Sequence, residues 1–588
     1  MISESGTNNP NSVAISSWRP VWLNWPLFLG ATLLGAVFLT YLPVLHAGFI
    51  WDDNNQVTDN PCIVGPLGLK EIWTTSAARF FPMTLTTYWV EHAFWKIRPG
   101  PYHLVNGLEH AASAVLLWRI LTLQKVQGAW LGTAIWALHP VEVESVAWVS
   151  ELKNTQSGLF YLLTIFFFIK GQTAKPTEGK TGIGLDYALT IFFSFLAMTS
   201  KSSTVILPLV LMLCAWWMDR RWNWPGQIKV WPIFIMSVLV SVMTVKAVGM
   251  EEPIAAYAPQ TLPERLATAG CAIWFYLGKL LWPHPLMTVY PRWEIHAGNA
   301  FIFIPLLLAL ATLLLFWWKR DDWSRPYFFV FAYFVIALLP VLGLVNHNFL
   351  QHSFVADHFQ YLASMGPLVL VGSGLARLAD FFIPKSIGIQ SSLCAILLLI
   401  LGVSSWQRAS VYENSETLWT DELTKNPGCW MGQNNAGIAL FEKGRIEEAI
   451  FHYQKSLEIY PGFGEAEANL ANALFQAGRR DEAMAHYQKA LEINPNDAET
   501  HNNFGSALAR SSQVNQAIPQ FEKAVELSPA YAEAHDNLGT AYFQTGQIDK
   551  AATQFYFALG LNQEDARARN GLVKLQAAKR QPANHSSG

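Results

Sequence analysis

The sequence predicts an all-α protein in which a polytopic helical membrane domain is followed by a soluble α-solenoid. The chain of 588 residues is 52% hydrophobic and only 14% charged, which is too apolar for an ordinary soluble protein. One apolar run follows another as far as Trp406, where the composition changes to charged, alanine-rich sequence. Beyond that point a proline recurs every 34 residues, at Pro427, Pro461, Pro495 and Pro529, which indicates a repeat architecture.

Charge and cysteine content exclude several classes of protein. The net charge is −3 and the 15 histidines form no basic patch, so we expect no nucleic acid partner. The five cysteines are scattered without a CxxC or Cys/His cluster, which argues against zinc and iron–sulfur sites. No metal ligand set is therefore predicted.

The membrane domain is predicted to cover residues 22–408. The polar stretch 1–21 is predicted to be a disordered cytoplasmic tail, and the apolar run at 22–45 is too long for the core of a signal peptide, so we interpret it as a first span. Most of the later runs approach the ~20 residues that a spanning helix needs. These runs lie at 104–123, 127–138, 157–170, 187–199, 203–218, 230–248, 300–318, 327–345, 360–375 and 391–406.

Lys and Arg between the runs predict the orientation, because cytoplasmic loops carry an excess of positive charge. The residues that mark the cytoplasmic side are Arg119, Lys125, Lys170, Lys175, Lys180, Arg220, Arg221, Lys229, Lys319, Arg320, Arg325, Arg377 and Lys385. This alternation predicts eleven spans if the apolar segment 267–282 is interfacial or re-entrant. In the alternative this segment spans the membrane and Arg292 lies on the same side as Lys319.

The repeats at 427–562 have the spacing of four tetratricopeptide units. Three positions are in register within each 34-residue unit: a small residue in the first helix, an alanine in the second, and an aromatic four residues later. They are Gly437, Ala471, Gly505 and Gly539, then Ala449, Ala483, Ala517 and Ala551, then Tyr453, Tyr487, Phe521 and Phe555. We predict a lead-in helix within 409–426, and a capping helix with a disordered tail over 563–588.

Each repeat also carries an asparagine two positions before the small residue of its first helix, namely Asn435, Asn469, Asn503 and Asn537. An amide both donates and accepts hydrogen bonds, which suits the backbone of an extended peptide. The pattern resembles the asparagine ladder in the superhelix of O-linked N-acetylglucosamine transferase. We therefore predict that these residues bind an extended peptide; the alternative is that they only join adjacent repeats.

Two adjacent carboxylates, Asp52 and Asp53, follow the first span in the stretch FIWDDNNQV. Close carboxylates raise each other's pKa in a partly dry cleft, which would allow one to act as a general base near neutral pH. The alternative is that one caps a loop helix and the other is solvated. Asp52 is the preferred base.

Polar side chains also mark the second span. In PYHLVNGLEH, a helix beginning near Pro101 would align His103, Asn106 and His110 along one face, where they could meet a sugar or phosphate. The two histidines are about 10 Å apart along the helix, too far to share one metal ion. A polar seam satisfied between helices is the alternative.

After the third span, HPVEVESVAWVSELKN is predicted to place Glu144, Trp148 and Glu151 on one helical stripe. Glu144 would be the third acid of the site, whereas Glu142 and Glu151 are expected to be solvated loop charges. Lys201, after the fifth span, is a candidate ligand for a lipid phosphate.

In order and spacing, these motifs resemble the transmembrane and tetratricopeptide-repeat O-mannosyltransferases and their bacterial relatives, which are membrane glycosyltransferases of the GT-C type. The motifs are FIWDDNNQV, PYHLVNGLEH, HPVEVESVAWVSELKN, DHFQYLASMG and the carboxyl-terminal repeats. The resemblance implies inverting transfer of a hexose such as mannose from a polyprenyl-phosphate carrier to Ser or Thr hydroxyls of exported or membrane proteins. It places this chemistry at the non-cytoplasmic face.

The resemblance also implies roles for single residues. It puts an acid at Glu144, a cation at Lys153, and a phosphate or sugar contact near His358 and Tyr361. The chain departs from the family pattern at several positions, because Leu152, Asn154 and Ser202 replace Arg, Asp and Glu, and His358 replaces Arg. Histidine is a weaker and pH-dependent cation. The departures favour a bacterial inner-membrane protein with periplasmic site and repeats over one of the endoplasmic reticulum.

Two further functions fit the same sequence. A non-catalytic scaffold would use the repeats to assemble envelope or secretion proteins, and a related enzyme would act on a glycan or lipid acceptor. In each case the expected partners are membrane lipids and a protein or peptide bound by the repeats. For the enzyme we also expect a polyprenyl-phosphate sugar donor. No cofactor is certain, and a divalent ion held by Asp52 or Asp53 with Glu144 finds no support in the sequence.

Overall fold

A computed structural model describes residues 26–65, 67–75, 81–173, 184–220, 222, 227–248, 260–345, 348–384, 386–562 and 564–580. Within these ranges the chain forms helices and turns and no β-strand, which confirms the all-α class. The predicted tails at 1–21 and 581–588 lie outside the described residues, as do Lys175, Lys180, Arg221 and Lys385.

The described residues of the amino-terminal part form fifteen α-helices. They are α1 (Pro26–Thr40), α2 (Leu69–Thr74), α3 (Pro82–Trp95), α4 (Pro99–Leu123), α5 (Ala129–Ala137), α6 (Val143–Ala147), α7 (Leu152–Thr173), α8 (Leu185–Ser200), α9 (Leu207–Asp219), α10 (Trp231–Val248), α11 (Leu262–Leu281), α12 (Ile304–Trp318), α13 (Arg325–Leu338), α14 (Met365–Phe382) and α15 (Ile387–Ser410). Short 3₁₀ turns precede or continue several of them.

Among the described residues, five helical stretches are long and apolar enough to cross a membrane. They are Ser202–Asp219, Ile228–Lys246, Ala300–Trp318, Met365–Phe382 and Ile387–Glu413. Three shorter apolar helices lie at Pro26–Thr40, Leu185–Ser200 and Arg325–Val341. Helix α12 buries only Ala309 and exposes its leucines, as a lipid-facing helix would. The protein is thus a membrane protein, while the count of eleven spans and its orientation stay predictions.

Two of the apolar runs differ from a simple span. Helix α5, within the predicted span 127–138, has nine residues and is about 14 Å long, roughly half of a bilayer's hydrocarbon core. It is buried on nearly every side, and a Cβ on Gly372 of α14 would lie 2.3 Å from the Cα of Gly132, so the two backbones almost touch. Helix α11, which contains the segment 267–282, buries one face and exposes Trp274 and Leu281 on the other.

The carboxyl-terminal part forms an α-solenoid behind a lead-in helix, α16 (Ser415–Lys425). The four helix pairs are α17 (Trp430–Glu442) with α18 (Ile446–Ile459), α19 (Gly464–Gln476) with α20 (Arg480–Ile493), α21 (Ala498–Arg510) with α22 (Val514–Leu527), and α23 (Ala532–Gln544) with α24 (Ile548–Leu561). A last helix, α25 (Ala566–Arg580), packs on the fourth pair.

The small residue of each first helix meets the aromatic of the second, as the repeat spacing predicts. A Cβ on Gly505 would lie 2.8 Å from the ring of Phe521, so the helices approach too closely for a larger side chain without adjustment. Gly437 and Gly539 meet Tyr453 and Phe555 in the same way. The small residues therefore fix the spacing within each pair.

Helix α16 attaches the solenoid to the membrane domain. The Glu422 carboxylate accepts hydrogen bonds from the backbone N–H groups of Thr288 at 2.8 Å and Val289 at 3.3 Å. The amide of Asn426 donates to the Val289 carbonyl at 3.0 Å, and the Lys425 ammonium donates to a neighbouring carbonyl. These contacts join the lead-in helix to residues 286–289 of the membrane domain.

Candidate functional site

The loop that carries the two aspartates is held by aromatic packing. Trp51 has φ +46°, an unusual value for a bulky residue, and stacks on Trp148 with ring centroids 4.8 Å apart. Its edge meets Trp419 of the lead-in helix at 5.1 Å. One side chain thus joins the loop after α1, the segment between α6 and α7, and the base of the solenoid.

Asp53 is fully buried and serves as a clamp. One carboxylate oxygen accepts from the backbone N–H of Ser150 at 2.7 Å and the other accepts from Ile50 at 2.9 Å. Burial, the largest cause, raises the pKa of Asp53 to about 8 against the lowering effect of the two backbone donors. An acid that keeps its proton at neutral pH is a poor base there.

Asp52 has a different environment from its neighbour. Its side chain is half-buried, so solvent or substrate can reach it. Burial lowers the pKa of Lys153, but the negative charges of Glu151 and Asp52 outweigh this effect and raise it above its ordinary value. Asp52 therefore lies within electrostatic reach of a predicted phosphate ligand.

The polar residues of α4 lie where the sequence predicts, on one face of the helix, but they bind protein groups. A ring nitrogen of His103 lies 3.3 Å from the Gly48 carbonyl, and the Asn106 amide donates to the Trp148 carbonyl at 2.9 Å. His103 and Asn106 are 0% and 1% exposed. They hold the segments on either side of the Trp51–Trp148 stack.

His110 and Tyr361 pair with each other. The Nδ1 of His110 is 2.9 Å from the Tyr361 hydroxyl, and its Nε2 is 3.0 Å from the Ala137 carbonyl, so Nε2 donates and Nδ1 accepts. Both side chains are buried. For His110 this is the polar seam that the sequence left as an alternative, whereas the buried Oδ1 of Asn106 has no hydrogen-bond partner among the described residues. The sugar or phosphate contact predicted for His103, Asn106 and His110 stays a prediction.

Glu144 binds the segment that contains His358. One carboxylate oxygen accepts from the backbone N–H of His358 at 3.0 Å, and the other lies 3.3 Å from the imidazole Nδ1. The preceding residue, Asp357, accepts from the Tyr290 hydroxyl at 2.9 Å. The structure thus brings Glu144 and His358 together, although 214 residues separate them in the sequence.

The predicted helical stripe of Glu144, Trp148 and Glu151 is wrong. Helix α6 ends at Ala147, and Trp148 is extended with φ −94° and ψ 123° before α7 begins at Leu152. The reason is packing, because Trp148 turns to stack on Trp51 while its carbonyl accepts from Asn106. Glu144 and Glu151 therefore belong to separate short turns.

Glu142 and Glu151 are not solvated loop charges, which corrects a second expectation. They are 0% and 1% exposed. The Glu151 carboxylate lies 2.8 Å from the Lys153 ammonium and 3.8 Å from that of Lys201. Burial opposes ionisation, but the charges of His358, Lys153 and Lys201 outweigh it and lower the pKa of Glu151 to about 2.

Asn154 completes this cluster, and sequence reasoning recorded it only as a departure from the family pattern. Its amide nitrogen donates to Glu151 and, at 3.1 Å, to the His358 carbonyl, and its amide oxygen accepts from Lys201. The signal for it in the sequence was the carboxylate three residues earlier, Glu151. We call Glu151, Lys153, Asn154 and Lys201 the lysine cluster.

Arg408, at the end of α15, is another residue that the sequence did not single out. It is 7% exposed and donates to Asp421 at 2.7 Å and to the Tyr412 hydroxyl at 3.2 Å. A lone arginine at the end of the last apolar run was the signal for it. Its positive charge interacts with Asp421 of the lead-in helix and with Asp357 and Glu144 of the membrane domain.

The four ladder asparagines share one face of the solenoid and are each half-buried. The Asn469 amide donates to Asn434 at 3.0 Å, and the Asn537 amide donates to Asn502 at 2.9 Å. These contacts cross from one repeat to the next, as the structural alternative requires. No contact tests the peptide-binding role, which stays a prediction. Within the described residues no three His, Cys, Asp or Glu side chains are grouped so as to hold a metal ion.

Comparison with known proteins finds relatives of the carboxyl-terminal repeats and of the chain as a whole. Residues 440–502 match a family model described as Tetratricopeptide repeat, and residues 505–546 match one described as TPR repeat. The chain is 22% identical over 477 residues to Protein O-mannosyl-transferase TMTC3 of Mus musculus, covering 73% of this chain and 51% of that protein. It is 23% identical over 509 residues to Tmtc3 of Drosophila melanogaster, covering 72% and 54%.

Solved structures with some likeness are PilF of Pseudomonas aeruginosa and MamA of Desulfovibrio magneticus. PilF is 24% identical with a TM-score of 0.25, and the likeness covers 27% of this chain and 71% of that one. MamA is 21% identical with a TM-score of 0.24, covering 27% and 90%.

The chain spans about half the length of the curated relatives that it matches. A match over 73% of this chain is longer than the repeats alone, so it includes much of the membrane domain. The resemblance expected from the motifs is therefore confirmed: the chain is similar to transmembrane and tetratricopeptide-repeat protein O-mannosyl-transferases, and its carboxyl-terminal part consists of tetratricopeptide repeats.

Proposed function

We propose that the protein is a glycosyltransferase that moves a sugar from a polyprenyl-phosphate carrier to Ser or Thr hydroxyls of exported or membrane proteins. The observation that carries the proposal is the juxtaposition of a half-buried carboxylate, Asp52, with the lysine cluster. Transfer of this kind needs a base for the acceptor and positive charge for a departing phosphate. Similarity to named protein O-mannosyl-transferases supports the reaction class.

Asp52 is proposed as the base. The acceptor oxygen attacks the anomeric carbon, its proton passes to the Asp52 carboxylate, and the bond from that carbon to the phosphate oxygen breaks. The configuration inverts, because attack comes from the face opposite the phosphate. Asp53 serves instead to hold the loop, through its two backbone hydrogen bonds.

Lys153 and Lys201 are proposed to bind the phosphate of the carrier, with His358 beside them. Glu151 neutralises one of the two lysine charges, so the cluster keeps a net positive charge for an anion. Lys153 also lies 5.8 Å from the centroid of the Phe81 ring and 5.9 Å from that of Trp148, which limits where its ammonium can move. Glu144 positions His358 and is proposed as a contact for sugar hydroxyls.

The repeats are proposed to capture the acceptor and to present it to Asp52. The lead-in helix fixes the first repeat to the membrane domain through Glu422, and Trp419 reaches Trp51 itself. A captured segment would be at high effective concentration beside the site, which lowers the affinity that the site must supply. In this proposal site and repeats share the non-cytoplasmic side of the membrane.

The test uses the purified full-length chain in detergent with polyprenyl-phosphate-linked hexoses and Ser/Thr peptides. Glycopeptide is measured by mass spectrometry for the wild type, Asp52→Asn and Glu144→Gln. We expect transfer by the wild type and losses of at least ~100-fold in Asp52→Asn, the scale of a missing general base. Undiminished transfer in both variants would overturn the site, and a wild type inactive with every donor would favour the scaffold.

A further inference from the structure

Besides the lead-in helix, the loop that precedes His358 also joins the membrane domain to the solenoid. Trp430, at the start of the first repeat, is 7% exposed, and its ring centroid lies 5.3 Å from that of His352 in the loop. Within the repeats, Trp430 meets the ring of Tyr460 at 5.2 Å and that of Phe463 at 4.6 Å. Trp430 therefore packs against both the solenoid and the loop of the membrane domain.

The same loop reaches His358 through one aromatic side chain. The ring centroid of Phe349 lies 6.2 Å from that of His352 and 5.4 Å from that of His358, edge to face in both cases. The backbone N–H of His352 donates to the Phe349 carbonyl at 2.9 Å, which keeps the two residues in one turn. Three side chains, Phe349, His352 and Trp430, thus connect the first repeat with His358. We call them the aromatic row.

The loop is also held from the side of the membrane domain. Arg292 donates to the carbonyls of Leu350 at 3.0 Å and Gln351 at 3.1 Å, and its guanidinium lies 4.5 Å from the centroid of the Phe354 ring. Burial, the larger cause, and the charge of Arg292 lower the pKa of His352 to about 4. At neutral pH His352 is therefore an uncharged ring in the aromatic row.

Contacts within the membrane domain hold the rest of His358. Its Nδ1 lies 3.3 Å from Glu144, its ring centroid lies 6.2 Å from that of Trp148, and its carbonyl accepts from Asn154 of the lysine cluster at 3.1 Å. Phe349 adds the contact that leads to the repeats. Edge-to-face packing is a preferred arrangement of rings, so it restrains the orientation of this imidazole.

We propose that Phe349 and Trp430 are positioning residues, through which the first repeat orients His358 toward the phosphate of the lipid-linked donor. The inference rests on the proposed function, because it concerns the donor half of the same site. A side chain that binds a ligand must be held within about 0.5 Å of its productive position by the packing around it. The repeats thus complete the donor site as well as capture the acceptor.

The structural half of the test is hydrogen exchange of the full chain in detergent, without donor or acceptor. It follows the proteolytic fragment that contains His358, whose backbone N–H donates to Glu144. Trp430→Leu and Phe349→Leu each remove a ring of the aromatic row and keep an apolar side chain. The matched control is Phe504→Leu, which removes a ring that is 6% exposed from the first helix of the third repeat.

We expect exchange in the His358 fragment to quicken at least about threefold in Trp430→Leu and in Phe349→Leu, and to stay unchanged in Phe504→Leu. Trp430→Phe keeps a ring beside His352 and should restore the exchange rate of the wild type. Unchanged exchange in either row variant would overturn the inference, as would an equal change in the control.

The functional half is a double-mutant cycle on donor binding. The Kd of a radiolabelled polyprenyl-phosphate mannose is measured without acceptor for Trp430→Leu, His358→Ala and the double variant. We expect a Kd about fivefold higher in Trp430→Leu, and no further rise when this change is added to His358→Ala, because a positioning residue acts only through the group that it positions. Losses that multiply in the double variant would overturn the inference, since a merely structural role of Trp430 would be independent of His358.

The proposed function is judged separately, by transfer of sugar to a Ser/Thr peptide. A wild type that transfers sugar, with no coupling between Trp430 and His358 in exchange or in donor binding, would overturn the inference alone. Coupled exchange and coupled donor binding without any transfer would overturn the function alone.

Discussion

The lysine cluster of the membrane domain and the surface of the solenoid both contain ion pairs, but the cluster buries its charged side chains and the solenoid exposes them to water. Glu151 is 1% exposed and contacts Lys153, Lys201 and Asn154. Unlike the contacts of the solenoid, these contacts are not repeated along the chain. In the solenoid, the pair of Arg479 and Glu482 is exposed at both ends, with side chains 39% and 55% accessible.

The difference in burial predicts different responses to mutation. A buried charge destabilises the fold unless its partners are in place, so the Glu151 cluster depends on each of its members. Exposed pairs contribute little singly, and the solenoid gains its properties by repetition. Removing one charged side chain should therefore destabilise the membrane domain strongly and change the stability of the solenoid little.

The largest expected effect is that of Glu151→Gln. The variant removes the carboxylate that pairs with both Lys153 and Lys201 and leaves the two buried ammonium groups to repel each other, which should lower the free energy of unfolding by about 3–5 kcal/mol. Thermal unfolding in detergent measures the loss. Glu482→Gln, the matched control on the solenoid, should not move the transition, and equal effects of the two variants would remove the contrast between the regions.

Trp51→Ala should come next, at about 2 kcal/mol, because it removes a stacked and an edge-on aromatic contact. Hydrogen exchange should also quicken in α16, since Trp419 loses its partner in the membrane domain. Trp51→Phe keeps one ring and should recover about half of the loss. Unchanged exchange in α16 would show that Trp51 does not join the two regions.

Gly505→Ala tests the solenoid itself and should lower the free energy of unfolding by about 1–2 kcal/mol, through contact with the Phe521 ring. Gly560→Ala is the matched control, because a Cβ there meets nothing within 4 Å and the residue is helical. That change should be stabilising by about 0.5 kcal/mol. Chemical denaturation followed by circular dichroism measures both variants, and effects of the same sign would contradict the packing.

The smallest effect concerns pH. Burial, the main cause, lowers the pKa of Lys201 to about 8, so the ammonium is charged below that pH and loses its charge as the pH rises through it. Transfer should therefore fall about tenfold between neutral pH and one unit above the pKa, in proportion to the charged fraction of Lys201. In Lys201→Arg the fall should disappear, since arginine stays charged. A profile identical to that of the wild type would exclude Lys201 from phosphate binding.

The solenoid could be predicted from the sequence almost residue by residue. The local sequence pattern predicts the 34-residue period and the small residues that pack against Tyr453 and Phe521. It also predicts the lead-in helix at Ser415–Lys425. Each repeat contacts mainly its neighbours, so local sequence carries nearly all the information. The amide contacts between repeats, such as that of Asn537 with Asn502, needed the structure, because period alone does not tell which polar atoms meet.

The site was less predictable because its contacts join distant parts of the chain. The sequence identified Asp52, Glu144 and Lys201 as separate candidates, but it could not show that Asp53 is a clamp on Ser150. It also took Glu151 for a solvated charge, since a polar loop between two apolar runs has no periodicity that reports burial. Such burial depends on which helices meet, and this is a property of the whole fold.

The measurement that tests the account most directly compares Asp52→Asn with Asp53→Asn for both transfer and stability. Asp52→Asn should lower the transfer rate by about 10²- to 10⁴-fold and lower the unfolding temperature less than Asp53→Asn does, because the Asp52 side chain is only half-buried. Asp53→Asn should unfold at lower temperature but keep transfer in its folded fraction. Retained transfer by Asp52→Asn, or lost transfer by a fully stable Asp53→Asn, would contradict the assignment of Asp52 as the base.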